Sequence, residues 1–170
     1  METPAFVIMY ALDSVILLLA LAGALVAGRE RRQRLVPRWR LLMPGLAGTV
    51  GTLILLSYPD IRDLADPQMW TIGLAGVAVG AVRGRAMHMD SDHAFAQVRL
   101  RSGGDAAWVA WILVLLAALQ GAIETGLRAE NPYEATAELL MLITSGYLLG
   151  RSGVAWLRAR SGTHVDLQEE

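Results

Sequence analysis

Residues 5–27, AFVIMYALDSVILLLALAGALVA, form an apolar run interrupted by one charge, Asp13. A helix of roughly 20 apolar residues covers a hydrocarbon core of about 30 Å. Thr3-Pro4 stands just ahead, a capping residue followed by a first-turn proline. The run has no basic segment before it and ends in arginines, so it reads as an anchor and not as a cleaved leader.

Working outward from it, four more apolar segments follow, giving spans at about 5–27, 41–58, 69–82, 106–127 and 135–156. Pro59, Pro67 and Pro132 fall between them, and Pro44 sits in a first turn, where its missing N–H does no harm. No solenoid period is visible. The expected fold is all-α: five transmembrane helices in one domain over residues 1–160, with a disordered tail at 161–170.

Charge placement sets the expected topology. All fifteen basic residues are arginines. Thirteen fall between spans one and two, between spans three and four, or at the end of span five. Only Arg62 and Arg128 fall on the other side. The positive-inside rule then puts the N-terminus outside and the C-terminus in the cytoplasm of a bacterial inner membrane, as a multi-pass protein. Omitting the weak third span would split the arginines seven to eight, so the five-span count explains them better. Trp39, Trp70, Trp108 and Trp156 lie near the proposed interfaces, as an aromatic belt requires.

The chain of 170 residues is 54% hydrophobic and 18% charged, with most of the charges between the apolar runs. Its mean hydropathy is +0.41. This distribution excludes a disordered chain, a coiled coil and a basic nucleic-acid module. Zero cysteines exclude disulfides, thiol redox chemistry, iron–sulfur clusters and cysteine-bound zinc.

Small residues bring helices close where lipid supplies no hydrophobic drive. Gly76, Gly80 and Gly84 recur at every fourth position of the third segment, and Gly146 and Gly150 do so in the fifth. They read either as packing inside one five-helix bundle or as a surface for a second chain.

Acids inside spans are functional candidates. Asp13, Glu124 and Glu138 all fall in the expected outer half, with Gln120 one turn from Glu124. The sharper reading is a polar site for a proton or cation. The plainer one is cross-helix hydrogen bonding by Asp13 and headgroup contact by the glutamates. Arg151 is expected to snorkel from the inner end of the fifth span. Arg29, Arg31, Arg32 and Arg34 read as topology determinants or as contacts to anionic lipid headgroups.

Residues 87–101 alternate around Asp90-Ser91-Asp92, which suggests a β-hairpin turning at those three residues. His88 and His93, with Met87 and Met89, offer soft ligands in a spacing that matches no established metal pattern. No nucleotide loop or nucleophile motif is present, no cofactor is called for, and no span contains a histidine.

An arginine-rich first loop, a second span ending Leu56-Ser57-Tyr58-Pro59, a glycine-rich third segment closing Arg83-Gly84-Arg85 and a last span through Tyr147-Leu148-Leu149-Gly150-Arg151 carry a resemblance. Over residues 25–160 the chain resembles the CcdC-like family of small bacterial integral membrane proteins. The family name comes from an association with cytochrome c biogenesis. The resemblance implies the topology and no catalytic residue, and the absence of cysteine excludes a direct thiol-reducing role.

The functional expectation is a non-catalytic structural, assembly or accessory subunit. It acts through helix contacts, with itself or in a larger membrane complex, with the lipid bilayer and not nucleic acid as its surroundings. The alternative is a small proton or cation transporter using the outer acids.

Overall fold

The computed structural model describes residues 3–31, 35–56, 67–92, 96–100, 104–126 and 134–161. Five α-helices lie among them: α1 (Thr3–Arg31), α2 (Met43–Leu56), α3 (Pro67–Ala86), α4 (Gly104–Gly126) and α5 (Glu134–Ser161). A 3-10 turn over Arg38–Leu42 leads into α2. Three short strands, β1 (Val36–Pro37), β2 (Met89–Asp92) and β3 (Gln97–Leu100), form one antiparallel sheet in the order β1-β3-β2.

The main core follows from small residues at helical spacing. Ile16, Ala20, Ala24 and Ala27 form the buried stripe of α1. They meet Ala106, Ala110, Leu113 and Ala117 of α4 in one cluster. Alanine on both helices lets the two backbones approach. Between α1, α2, α4 and α5 an apolar gap lined by Ile16, Gly48, Leu113 and Met141 has no room for a water molecule.

A second core closes the end of the bundle that carries the sheet. Leu41, Met87, Val98, Leu100 and Ala159 are buried there, with Met89 and Trp156 packed against them. The alternation of β3 explains its share, since Val98 and Leu100 point inward while Gln97 and Arg99 do not. β2 pairs with β3 through Met89 opposite Leu100 and Asp92 opposite Gln97.

The turn is not at Asp90-Ser91-Asp92. Those residues belong to β2, where Ser91 and Asp92 are buried. β1 completes the sheet from far earlier in the chain, Val36 facing Val98. Its Pro37 lies on the edge, where a missing donor costs no ladder bond. Arg38 fastens this edge: its backbone N–H donates to the Ala96 carbonyl and its Nη2 to the Asp92 carbonyl, each at 3.0 Å. Ala96 accepts a positive φ of 51° at the reversal.

The expected five bilayer crossings are corrected. Among the described residues, no helix is long and apolar enough to cross a membrane. α2 has 14 residues, about 21 Å at 1.5 Å per residue. α3 draws its bulk from glycine and alanine and ends in Arg83 and Arg85. α5 carries Arg151, Arg158 and Arg160 within its length. The expected transmembrane fold, the N-outside and C-cytoplasmic arrangement and the multi-pass inner-membrane location fall with the spans. The tail from residue 162 onward lies outside the described residues.

Candidate functional site: a carboxylate hub beside a glycine seam

α3 and α5 run parallel in close contact because glycine removes side chains from both. A Cβ at Gly76 would stand 2.5 Å from the Ile143 carbonyl oxygen, and one at Gly84 would stand 2.7 Å from that of Arg151. Between them, a Cβ at Gly80 would collide with the Tyr147 carbonyl. The steps of four on both helices keep these contacts in register. Gly146 and Gly150 reciprocate against the backbones of Gly73 and Val77. All five predicted packing glycines thus face inside this chain, which leaves their seam closed to a second molecule.

The seam positions a polar cluster. Tyr147 and Arg151 lie one turn apart on α5, on the same side. Asp105 sits in the first turn of α4, where the positive end of the helix favours a carboxylate. Tyr147 Oη donates to Asp105 Oδ2 at 2.7 Å. Arg83 Nε donates to the same oxygen at 3.1 Å, and Arg151 Nε stands 3.3 Å from it. Arg151 is 0% exposed, so it does not snorkel as the sequence suggested; it turns inward to the carboxylate. Asp105 Oδ1 is buried with no hydrogen-bond partner among the described residues.

The electrostatics fix the charge states. Burial pushes the Asp105 carboxyl up, but the Tyr147 hydroxyl, Arg151 and Arg83 together outweigh it and hold its pKa below the ordinary value. Burial, then the hydrogen bond to Asp105, pushes the Tyr147 phenol up to about 12. The Asp105 hydrogen bond and charge raise the Arg83 pKa. A general acid or base works best with a pKa near the operating pH. Here the carboxyl and the phenol both move away from neutrality, which suits fixed charge better than proton transfer.

The sequence reading missed Asp105, Tyr147 and Arg83. The available signals were an acid opening a helix and an arginine four residues after a tyrosine. Of the predicted polar site, Asp13 lies in α1, Gln120 and Glu124 in α4 and Glu138 in α5, with side chains outside the described residues. A transport reading presupposes bilayer crossings and finds no support in these helices. Arg29 and Arg31 end α1, and Arg32 and Arg34 follow it; the side chains of all four lie outside the described residues. So does His93. Met87 is buried in the second core and His88 is exposed. Among the described residues no three His, Cys, Asp or Glu side chains are grouped to hold a metal. No family model, no curated protein and no solved structure matches the chain.

Proposed function

We propose that this chain is a non-catalytic structural or accessory subunit that works through helix-to-helix contact. The observation that carries this reading is the outward face of α4. Trp108, Ile112, Leu115 and Leu119 are all exposed there, Trp108 by 63% and Leu115 by 67%. Their spacing of four, three and four is that of a seam built to receive another helix. α1, which packs against α4, also turns Val15, Leu18 and Leu25 outward. Contiguous apolar patches of this kind mark interaction surfaces. The fixed charges of the Asp105 hub support the non-catalytic part of the reading.

The chain has no cysteine, which makes a cross-linking test clean. Leu115→Cys is expected to give oxidised dimers or adducts with a partner, while Gly153→Cys on α5 gives none. The wild-type particle is expected to sediment as more than one 18.4 kDa chain, and Trp108→Glu with Leu115→Glu to reduce it to a single folded chain. A wild-type chain that sediments alone and leaves Leu115→Cys unlinked sinks the proposal.

A further inference from the structure

The described arginines gather around the second core. Among the residues whose side chains are described, eight arginines lie at the end of the bundle that carries the sheet, against three acids, Asp90, Asp92 and Asp105. Several have inward duties. Arg38 ties β1 to Asp92, and Arg83 and Arg151 face Asp105. Arg158 Nη1 lies within 2.7–2.9 Å of the carbonyls of Gly84, Arg85 and Met87, and Arg99 stands opposite Asp90 in the sheet.

Arg40, Arg85 and Arg160 have no such inward role. Arg85 and Arg160 are exposed and Arg40 half-exposed. Arg40 lies 5.2 Å from the Trp39 ring and Arg160 lies 4.8 Å from that of Trp156. The contact of Arg158 with Arg85, and the shared core of Leu41, Met87 and Ala159, bring these three elements to one end. Large apolar side chains stand among the charges: Trp39 is 55% exposed, and Leu35 and Leu157 are exposed beside it in sequence or on α5.

We infer that this end of the bundle docks on an anionic lipid surface, with Arg40, Arg85 and Arg160 on the phosphates and Trp39 at headgroup depth. A polyanion such as nucleic acid answers the arginines but offers no apolar layer for Leu35, Trp39 and Leu157. A lipid surface answers both, because tryptophan favours the headgroup region and basic groups bind acidic headgroups. The docking is peripheral and needs no helix to cross. It is independent of the α4 face, which lies on the flank of the bundle.

The test is flotation of the full chain with phosphatidylcholine vesicles, with and without phosphatidylglycerol. Preference for the anionic vesicles is expected, declining as salt is raised. Arg40→Gln, Arg85→Gln and Arg160→Gln together should weaken binding to them on the order of 100-fold, from a contribution of about 1 kcal/mol per arginine. The corresponding triple lysine variant should keep the preference. If the glutamine set unfolds, Arg85→Glu alone reads the same effect, on the order of 10-fold. Equal binding to neutral vesicles, an unchanged glutamine variant, loss of preference in the lysine variant, or tighter binding of duplex DNA would each overturn the inference.

Discussion

Tyr147 of α5 donates its hydroxyl hydrogen to Asp105 of α4 at 2.7 Å, while its own backbone carbonyl lies against Gly80 of α3. One residue therefore links a charged cluster to a helix seam. Closing the seam fixes where the phenol points, and the phenol helps hold the carboxylate that faces Arg151. A disturbance at Gly80 should reach Asp105 through this single residue.

Replacing glycine by alanine within a helix normally gains about 1 kcal/mol. At Gly80 the added methyl meets a backbone carbonyl that has no rotamer to escape into. Gly80→Ala is expected to destabilise the fold by about 1–3 kcal/mol, the usual cost of overpacking. A Cβ at Gly153 meets nothing within 4 Å, so Gly153→Ala should stabilise by about 0.5–1 kcal/mol. Denaturant unfolding of the two variants decides the matter, and shifts of the same sign would refute the seam.

Asp105 and Arg83 should differ as mutational targets although they touch each other. Asp105→Asn removes the charge facing a guanidinium that is 0% exposed. Breaking such a buried pair costs about 3–5 kcal/mol; with the Asp105 side chain 22% exposed, about 2–3 kcal/mol is expected. The Arg83 side chain is 41% exposed, and Arg83→Gln should cost no more than about 1 kcal/mol. Equal losses in the two variants would mean that Arg151 does not depend on this carboxylate.

Both titrations of the hub have a defined direction. The folded Asp105 pKa lies below its ordinary value. Its stabilisation is therefore present above the unfolded value of about 3.9 and disappears as pH falls through the lower folded one. Tyr147, raised to about 12, contributes stability that is complete below about 10 and is lost as pH rises towards that folded value. The wild-type melting temperature should thus drop more steeply in acid than that of Asp105→Asn. In an alkaline absorbance titration one of the four tyrosines should ionise late, and Tyr147→Phe should remove that component. The same variant should move the acid limb to higher pH, because Asp105 loses a donor.

These relationships also show what the chain order makes readable. The helices are legible because long apolar runs between prolines and charges have few other ways to satisfy their backbone. Their surroundings are less legible. An apolar residue facing a neighbouring helix and one facing outward look alike in sequence, so nothing in the runs themselves sets the exposed Leu18, Leu74 and Leu115 apart from the buried Leu113 and Leu148. The segregation of arginine is real, but in the structure it marks the sheet-bearing end of the bundle, where Leu41, Met87 and Ala159 form a core of their own. β1 is two residues long inside an arginine-rich loop, and its pairing with Val98 depends on a contact distant in the chain. Asp105 escaped notice because its three partners come from two other helices.

Arg158 supplies the last test. Its Nη1 reaches the Gly84, Arg85 and Met87 carbonyls, closing the C-terminal end of α3 as the chain turns into β2. The last carbonyls of a helix have no acceptor role within it, and a cation there also suits the helix dipole. Arg158→Met keeps much of the side-chain length but removes every donor. It should cost about 1–3 kcal/mol, the penalty for leaving partly buried acceptors unmet, with faster amide exchange in residues 84–92 and little change in α1. Arg158→Lys, which keeps one donating group at similar reach, should recover part of the loss. Uniform acceleration of exchange across all helices would instead assign Arg158 a role in global stability and refute the local cap.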